Sequence, residues 1–351
     1  MNMKNILTAK NSFLPLLFLA VIVAFSACKK DNDGSPDIKA GTPVLQSISP
    51  TEASGGTVIT LSGTGLGDIR SIVFDNNNVP ASFTSTLNTD THILFRVPDT
   101  AYGGNQNIIL TNSEGKTLTV PFKVIALPII TTAWPSDFQA GSRVTITGNN
   151  LDDVTDVVID GTTDAATIVS KARKSLVIDM PASNVNTGKL KVTNLSGSNV
   201  GSQVFVNVDK SVKVFTDGLN NGFESWSWGG AFDPSTDDYV TGGISLKAAY
   251  DPAGTWGGLQ LGNPGVIDVS ACRYFSFWVK GADTDKEMQF WINWADQKTN
   301  VKVPANVWTH YVYDMLTDFP SVDKTAVNNV TFQIEDEGKT LYFDNIIFYK
   351  E

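Results

Sequence analysis

Gly56-Thr57-Val58-Ile59-Thr60-Leu61-Ser62-Gly63 returns 85 residues later as Gly141-Ser142-Arg143-Val144-Thr145-Ile146-Thr147-Gly148. Within each copy apolar and polar side chains alternate, Ile59 and Leu61 falling on one side and Thr60 and Ser62 on the other. That period of two predicts a half-buried strand. The same offset extends outward. Pro43 matches Pro128, Ser49-Pro50 matches Trp134-Pro135, Leu66 matches Leu151, and Val73-Phe74-Asp75 matches Val158-Ile159-Asp160. Later pairs drift slightly, Pro98 with Pro181 and Thr111-Asn112 with Thr193-Asn194. Gly, Asn and Pro punctuate short alternating runs roughly every 8–12 residues, the pattern of a small β-sandwich. The chain therefore carries a tandem repeat, 43–126 and 127–209.

The spacing Pro-x(5)-Pro, then Gly-x-x-Val-Thr-Ile-x-Gly-x-x-Leu, resembles the immunoglobulin-like IPT/TIG domain. That resemblance implies a fold and no chemistry. Such domains serve as spacers in surface receptors and as parts of DNA-binding proteins. The charge disfavours the second use. With 26 Lys and Arg against 36 Asp and Glu the net charge is −10, and no basic surface is evident to neutralise phosphates. The reading is of no nucleic-acid partner. Neither repeat offers a reactive centre. His92 and Arg96 lie on the polar side of one strand, and Lys171-Ala172-Arg173-Lys174 reads as a solvated loop.

The N-terminus reads as an address. Lys4 and Lys10 precede Phe13–Phe25, which is almost wholly apolar, and Ser26-Ala27-Cys28 follows. About 13 apolar residues fall short of the roughly 20 that span a bilayer as a helix, so 1–27 reads as a signal peptide. Cys28 after two small residues resembles a bacterial lipobox, with Phe25 where the commonest pattern has Leu. The resemblance implies that Cys28 is acylated and anchors the protein in the outer membrane. Residues 28–42, with Lys29-Lys30-Asp31-Asn32-Asp33-Gly34-Ser35-Pro36-Asp37 after the Cys, form a polar tether. They resemble the charged segment of surface-exposed Bacteroidetes lipoproteins.

Composition changes at residue 210. Residues 210–351 hold eleven Lys and Arg against nineteen Asp and Glu, seven of the eight Trp and seven of the eight Tyr. A domain of this size needs one or two Trp for its core, so the excess points to a binding surface. In Tyr274–Lys280, Phe275, Phe277 and Val279 share one side and Ser276 and Trp278 the other. In Met288–Asn293, Met288, Phe290 and Ile292 oppose Gln289, Trp291 and Asn293, and in Val330–Glu335 Gln333 opposes the apolar side. These phases predict one sheet face carrying Trp278, Trp291, Asn293 and Gln333. Indoles beside amides suit a sugar, whose C–H faces stack on rings and whose hydroxyls take donors and acceptors.

Val214-Phe215-Thr216-Asp217-Gly218-Leu219, Trp256-Gly257-Gly258-Leu259-Gln260-Leu261, Phe275–Gly281, Trp308 and the closing Tyr342-Phe343-Asp344-Asn345-Ile346 resemble jelly-roll carbohydrate-binding domains over about 212–350. The expected fold is all-β: two immunoglobulin-like (IPT/TIG) β-sandwiches followed by a jelly-roll β-sandwich at 210–351. The combination resembles Bacteroidetes surface glycan-binding lipoproteins of the xyloglucan-binding type. It implies non-catalytic capture of a β-glucan or xyloglucan-like polysaccharide at the cell surface, and delivery to an outer-membrane glycan importer complex. Trp256, among glycines, and Trp291 are the expected stacking platforms, and Trp294 extends them. Trp226 and Trp228 read as one packed inside and one facing out, Trp308 as core, and Trp278 as either. Gln260, Asn293 and Gln333 are the expected hydroxyl partners. No cofactor is required. The resemblance allows a structural Ca²⁺ on Asp217 and Asp344, where separate strands would bring carboxylates together. Asp233, Asp237 and Asp238 form an acidic loop without EF-hand spacing.

An enzyme is not expected. A glycoside hydrolase needs two carboxylates roughly 5–10 Å apart, and Glu335, Asp336 and Glu337 are adjacent in one turn. No nucleophile elbow, phosphate loop or zinc motif is present. Cys272 reads as a small buried hydrophobe. The alternatives are a surface adhesin or scaffold that binds a protein through the same Trp-rich face and, behind it, a glycoside hydrolase.

Overall fold

The alternation read from the repeat becomes a burial pattern. In the strand Val58–Thr64, Ile59 and Leu61 are wholly buried while Val58 is 40% exposed. A computed structural model describes residues 39–85, 88–251, 256–281, 283–294, 298–334 and 339–351. The signal segment, Cys28, most of the tether and the Glu335-Asp336-Glu337 turn lie outside the described residues. Among those described there is no α-helix, and no helix long and apolar enough to cross a membrane.

The residues gather into two units. The first comprises the residues up to Pro50 with Val58–Arg96 and Ile108–Val120. Its sheet orders Val44–Ser49, Val58–Thr64 and His92–Arg96 antiparallel. Phe74, Ile72, Ile108 and Leu110 pack inside, and His92 and Arg96 face outward as expected.

The second unit holds Thr51–Thr57, Val97–Asn107 and Pro121–Glu351. Its immunoglobulin-like part sets the sheet Thr167–Ala172, Ser175–Asp179, Arg143–Asn149, Ile129–Trp134 over Asp156–Ile159, Leu190–Asn194, Gly197–Val200. Val144, Ile146, Ile178 and Val192 fill the space between.

The C-terminal part is a sandwich of two sheets. One orders Glu224–Ser225, Gly257–Ile267, Val327–Ile334, Lys286–Ile292 and Thr299–Val303. The other is built around Thr340–Tyr349, which pairs with Val212–Thr216, Ser245–Tyr250 and Tyr274–Lys280. Phe275, Phe277, Phe290, Phe332 and Phe343 interlock between them, with Phe277 and Phe332 ring centres 4.9 Å apart. Cys272 is buried in the same core, and burial pushes its thiol pKa up.

Thr340–Tyr349 is covered on both faces. Ile347 and Tyr349 point away from the core and pack against Val206 and Val208 of the immunoglobulin-like part. Trp278 points the same way and is 5% exposed. Its Nε1 donates to Asp137 at 2.9 Å, and its ring stacks on His310 at 4.6 Å and 2°.

Candidate functional site

The five-stranded sheet has one side in the core and one side open. Leu259, Leu261, Val330, Phe332, Met288, Phe290 and Ile292 occupy the inner side. The period of two then puts Gly258, Gln260, Gly262, Asn329, Thr331, Gln333, Gln289 and Trp291 on the outer side. Register aligns them in rows. Gly258 is opposite Gln333, which is opposite Gln289, and Gln260 is opposite Thr331, which is opposite Trp291.

Two glycines are the floor of this face. Trp226 N–H donates to the Gln260 carbonyl at 2.9 Å, and Trp228 exchanges backbone hydrogen bonds with Gly258 at 3.0 and 2.9 Å. Both indoles fold over the strand beside them. A Cβ at Gly262 would overlap the Trp226 ring, and one at Gly258 would overlap the Trp228 ring. Trp226 Nε1 donates to Glu224 at 2.7 Å, which fixes its tilt. Trp228 keeps 38% of its surface exposed. Both therefore lie on the outer face, against the expectation that one packs inside. Residues two apart in a strand share a side, so the pair points one way.

Beneath and between the rings lie Gln260, 5% exposed, and Gln333, 6% exposed. Gln260 Nε2 and Gln333 Oε1 have no hydrogen-bond partner among the described residues. A buried amide left unpaired costs about 1–3 kcal/mol. Both atoms are buried beneath the indoles, so a ligand hydroxyl meets this donor and this acceptor only where the rings above them shift aside.

The other expected residues divide. Trp291 sits on this face in the expected phase but is only 9% exposed, with Lys298 Nζ 4.8 Å above its ring. Trp256, immediately before Gly257, is 54% exposed. Trp294 is 66% exposed, and its Nε1 stands 3.3 Å from the Asn329 amide. Trp278 does not join them. It belongs to the other sheet, and the immunoglobulin-like part covers its ring. Asn293 is spent on a turn, donating to the Ala326 carbonyl at 3.2 Å and accepting from Asn328 N–H at 2.8 Å, with φ of 58°. Trp308 is half-buried rather than core, and its Nε1 donates to Asp238 at 2.7 Å. Gly258 and Gly262 are the residues sequence reasoning missed. Their signal was visible as two glycines four apart in one strand, where a close approach is the usual reason.

Asp217 and Asp344 do come together. Asp344 is wholly buried and accepts from Val240 N–H at 2.7 Å, Thr241 N–H at 3.2 Å and Asn345 N–H at 2.8 Å. Asp217 accepts from Ile244 N–H at 3.0 Å, and a Cβ at Gly242 would overlap its carboxylate. Burial first, and the Asp217 charge in addition, push the Asp344 carboxyl up to about 7. A buried carboxylate with a second one beside it suits a hard cation, whose charge would offset the burial cost at Asp344. The described residues hold no cluster of three or more acidic, His or Cys donors, so carbonyl oxygens would have to complete the shell. The neighbouring acidic loop is spoken for, Asp237 by Lys247 at 2.8 Å and Asp238 by Lys280.

Residues 43–124 and 128–207 each match the IPT/TIG domain, so both repeats are IPT/TIG domains. No curated protein matches the chain. Among solved structures, a surface glycan-binding protein, SGBP-B, from Prevotella bryantii is 15% identical, with 88% of this chain and 99% of that one covered at a TM-score of 0.50. SGBP-B of a complex xyloglucan utilization locus in Bacteroides uniformis is 18% identical over 89% and 100% of the two chains, at 0.45. A family 11 carbohydrate-binding module from Clostridium thermocellum, in complex with a β-1,3-1,4-mixed-linked tetrasaccharide, is 15% identical over 40% of this chain and 95% of that one, at 0.31.

Proposed function

We propose that the outer face of the five-stranded sheet binds a single polysaccharide chain, a β-glucan or xyloglucan-like glycan, without cleaving it. The observation that carries this reading is the pairing of two indoles seated on glycine with the unpartnered Gln260 and Gln333 beside them. Gly258 and Gly262 are four residues apart, so the rings above them are about 13 Å apart along the strand, a span of roughly two to three sugar rings. Trp226 and Trp228 would take the C–H faces, and Gln260 Nε2 and Gln333 Oε1 would take hydroxyls between them. Trp256 and Trp294 would extend the track at its ends. The likeness to the surface glycan-binding protein of Prevotella bryantii supports the same reading.

Hydrolysis finds no support on this face. Its outward carboxylates among the described residues include Glu224, tied to Trp226, and Glu287, opposite Lys302. Register places Glu224 in the row of Gly262 and Asn329, and Glu287 lies six residues along from that row. Their separation is about 20 Å or more, well outside the roughly 5–9.5 Å of a glycosidase pair.

In this reading the protein stands at the cell surface on an acylated Cys28, the IPT/TIG domains act as spacers, and captured glycan passes to an outer-membrane importer. Asp217 and Asp344 would hold a Ca²⁺ that neutralises them and ties the first and last strands of the domain. The deciding experiment is affinity electrophoresis through gels containing xyloglucan, mixed-linkage β-glucan or an unrelated polysaccharide. Retardation by a β-glucan, abolished in Trp228→Ala and competed by free oligosaccharide, is the expected result. No retardation in any gel overturns the reading and leaves the protein-adhesin alternative.

A further inference from the structure

Trp134 is the single tryptophan outside residues 210–351, and the repeat shows that the fold does not require it. Its counterpart 85 residues earlier is Ser49. The Trp134 side chain is 48% exposed. It lines a cleft of about 510 Å³ whose walls come from the second IPT/TIG domain and from the C-terminal domain, both within one compact unit. That volume falls in the range of small-ligand sites, roughly 300–1,000 Å³.

A second exposed aromatic enters from the C-terminal domain. Tyr239, 45% exposed, lines the same cleft beside Thr241, and Gln139, Ser142 and Arg143 line it from the other side. The segment carrying Tyr239 is held by the buried Asp344, which accepts from the backbone N–H of the next two residues, Val240 and Thr241. Arg143 brings no free charge, because its Nε and Nη2 donate to the two Asp179 oxygens at 2.8 and 3.0 Å. The cleft thus offers two aromatic side chains and a set of hydroxyl and amide groups, with its cation neutralised. An ion gains nothing from such a wall. A neutral, hydroxyl-rich ring with apolar C–H faces matches both kinds of lining.

We infer that this cleft is a second saccharide-binding site, with Trp134 and Tyr239 as its stacking surfaces. The inference rests on the glycan reading of the sheet face, about which it adds a second foothold on the same chain. Two footholds on one polymer raise retention of long chains without raising affinity for short ones.

The test is an NMR titration of the protein labelled with ¹⁵N-tryptophan, using a xylogluco-oligosaccharide and assigning signals with Trp134→Ser and Trp228→Phe. Trp134→Ser restores the residue that the first repeat carries, so it is expected to fold. The expected result is that both indole signals shift, with the Trp134 midpoint weaker and changed less than about twofold in a Trp226→Ala/Trp228→Ala variant. Trp134→Ser is expected to weaken retention on polysaccharide gels about fivefold, with short-oligosaccharide binding at Trp228 unchanged. If the Trp228 signal shifts and Trp134 stays fixed at about tenfold above the Trp228 midpoint, the cleft is not a site while the sheet face stands. A Trp134 shift that vanishes with the Trp226→Ala/Trp228→Ala pair is indirect and also overturns the inference. If neither signal moves, the glycan reading fails for this sugar and the cleft falls with it.

Discussion

The indole Nε1 of Trp278 donates to Asp137 Oδ2 at 2.9 Å, joining the C-terminal domain to the second IPT/TIG domain. Asp137 is wholly buried and also accepts from Asn345 Nδ2 at 3.3 Å, with His310 Nε2 at 3.7 Å. Burial raises its pKa, while His310, Trp278 and Asn345 oppose the rise. Trp278, which strand phase left as either a glycan contact or a structural residue, is part of a joint.

That assignment separates Trp278 from the platform by experiment. Trp278→Phe keeps an aromatic ring on His310 and removes one donor from a buried carboxylate. We expect a loss of about 1–3 kcal/mol in stability by chemical denaturation, with retardation on β-glucan gels unchanged. Loss of retardation in a variant that still folds would return Trp278 to the binding face.

Gln260 and Gln333 make an opposite prediction. Their unpaired amide atoms are a cost to the folded protein, so Gln333→Leu should leave stability unchanged or raise it by about 1 kcal/mol. Glycan affinity should fall about tenfold or more, because a site built around hydroxyl contacts loses its partner. Calorimetric titration and thermal melts on the same sample check both halves. A variant that is destabilised and binds normally would make these amides structural.

The glycine floor is equally open to test. Gly262→Ala puts a methyl where the Trp226 ring lies. The ring must lift, and we expect polysaccharide retention to drop severalfold while far-UV circular dichroism stays that of the parent.

How far the sequence carried this site depends on the residue. Alternation identified the inner residues Phe275, Phe277, Met288 and Phe290 and the outward phase of Trp291 and Gln333, since the period of two is local. It also had the information to place Trp226 and Trp228 on one side. It could not say that Trp278 and Trp291 belong to different sheets, because a strand's phase names a face and not its neighbours. Nor could it show that Asn293 occupies a left-handed turn that consumes its amide. The repeat, by contrast, was legible throughout, because a self-match needs no tertiary knowledge.

Asp344 gives the protein an unusual pH response. Its carboxyl is up at about 7 in the folded state, against an unfolded value near 3.9. The unfolded chain therefore releases this proton first, and the folded state loses stability as pH rises from about 4 to about 7, flattening above. The loss is on the order of 4 kcal/mol. Melts in EDTA should show it, and Asp344→Asn should remove that slope. A flat profile in the parent protein would contradict the burial-driven shift.

Calcium should act on the same group. At pH 7.5, Ca²⁺ at a hundredfold over its Kd would add about 2.7 kcal/mol, seen as a higher melting midpoint than in EDTA. Asp217→Asn and Asp344→Asn should abolish the difference. An identical midpoint with and without Ca²⁺ would remove the cation from this site.

Trp226 and Trp228 rest on the backbone of one strand rather than on side chains of their own making, and that fixes what kind of material they can grip. A strand twists along its length, and neighbouring strands are rotated by about 20–25°. Rings laid four residues apart on such a surface are expected to follow its twist rather than lie in one plane. A crystalline fibre, whose chains are locked flat side by side, could meet only one of them at a time. A single hydrated strand can turn to follow both. On the glycan reading, the protein is therefore a collector of loosened, dissolved chains, and it would leave the solid face of a plant cell wall largely untouched.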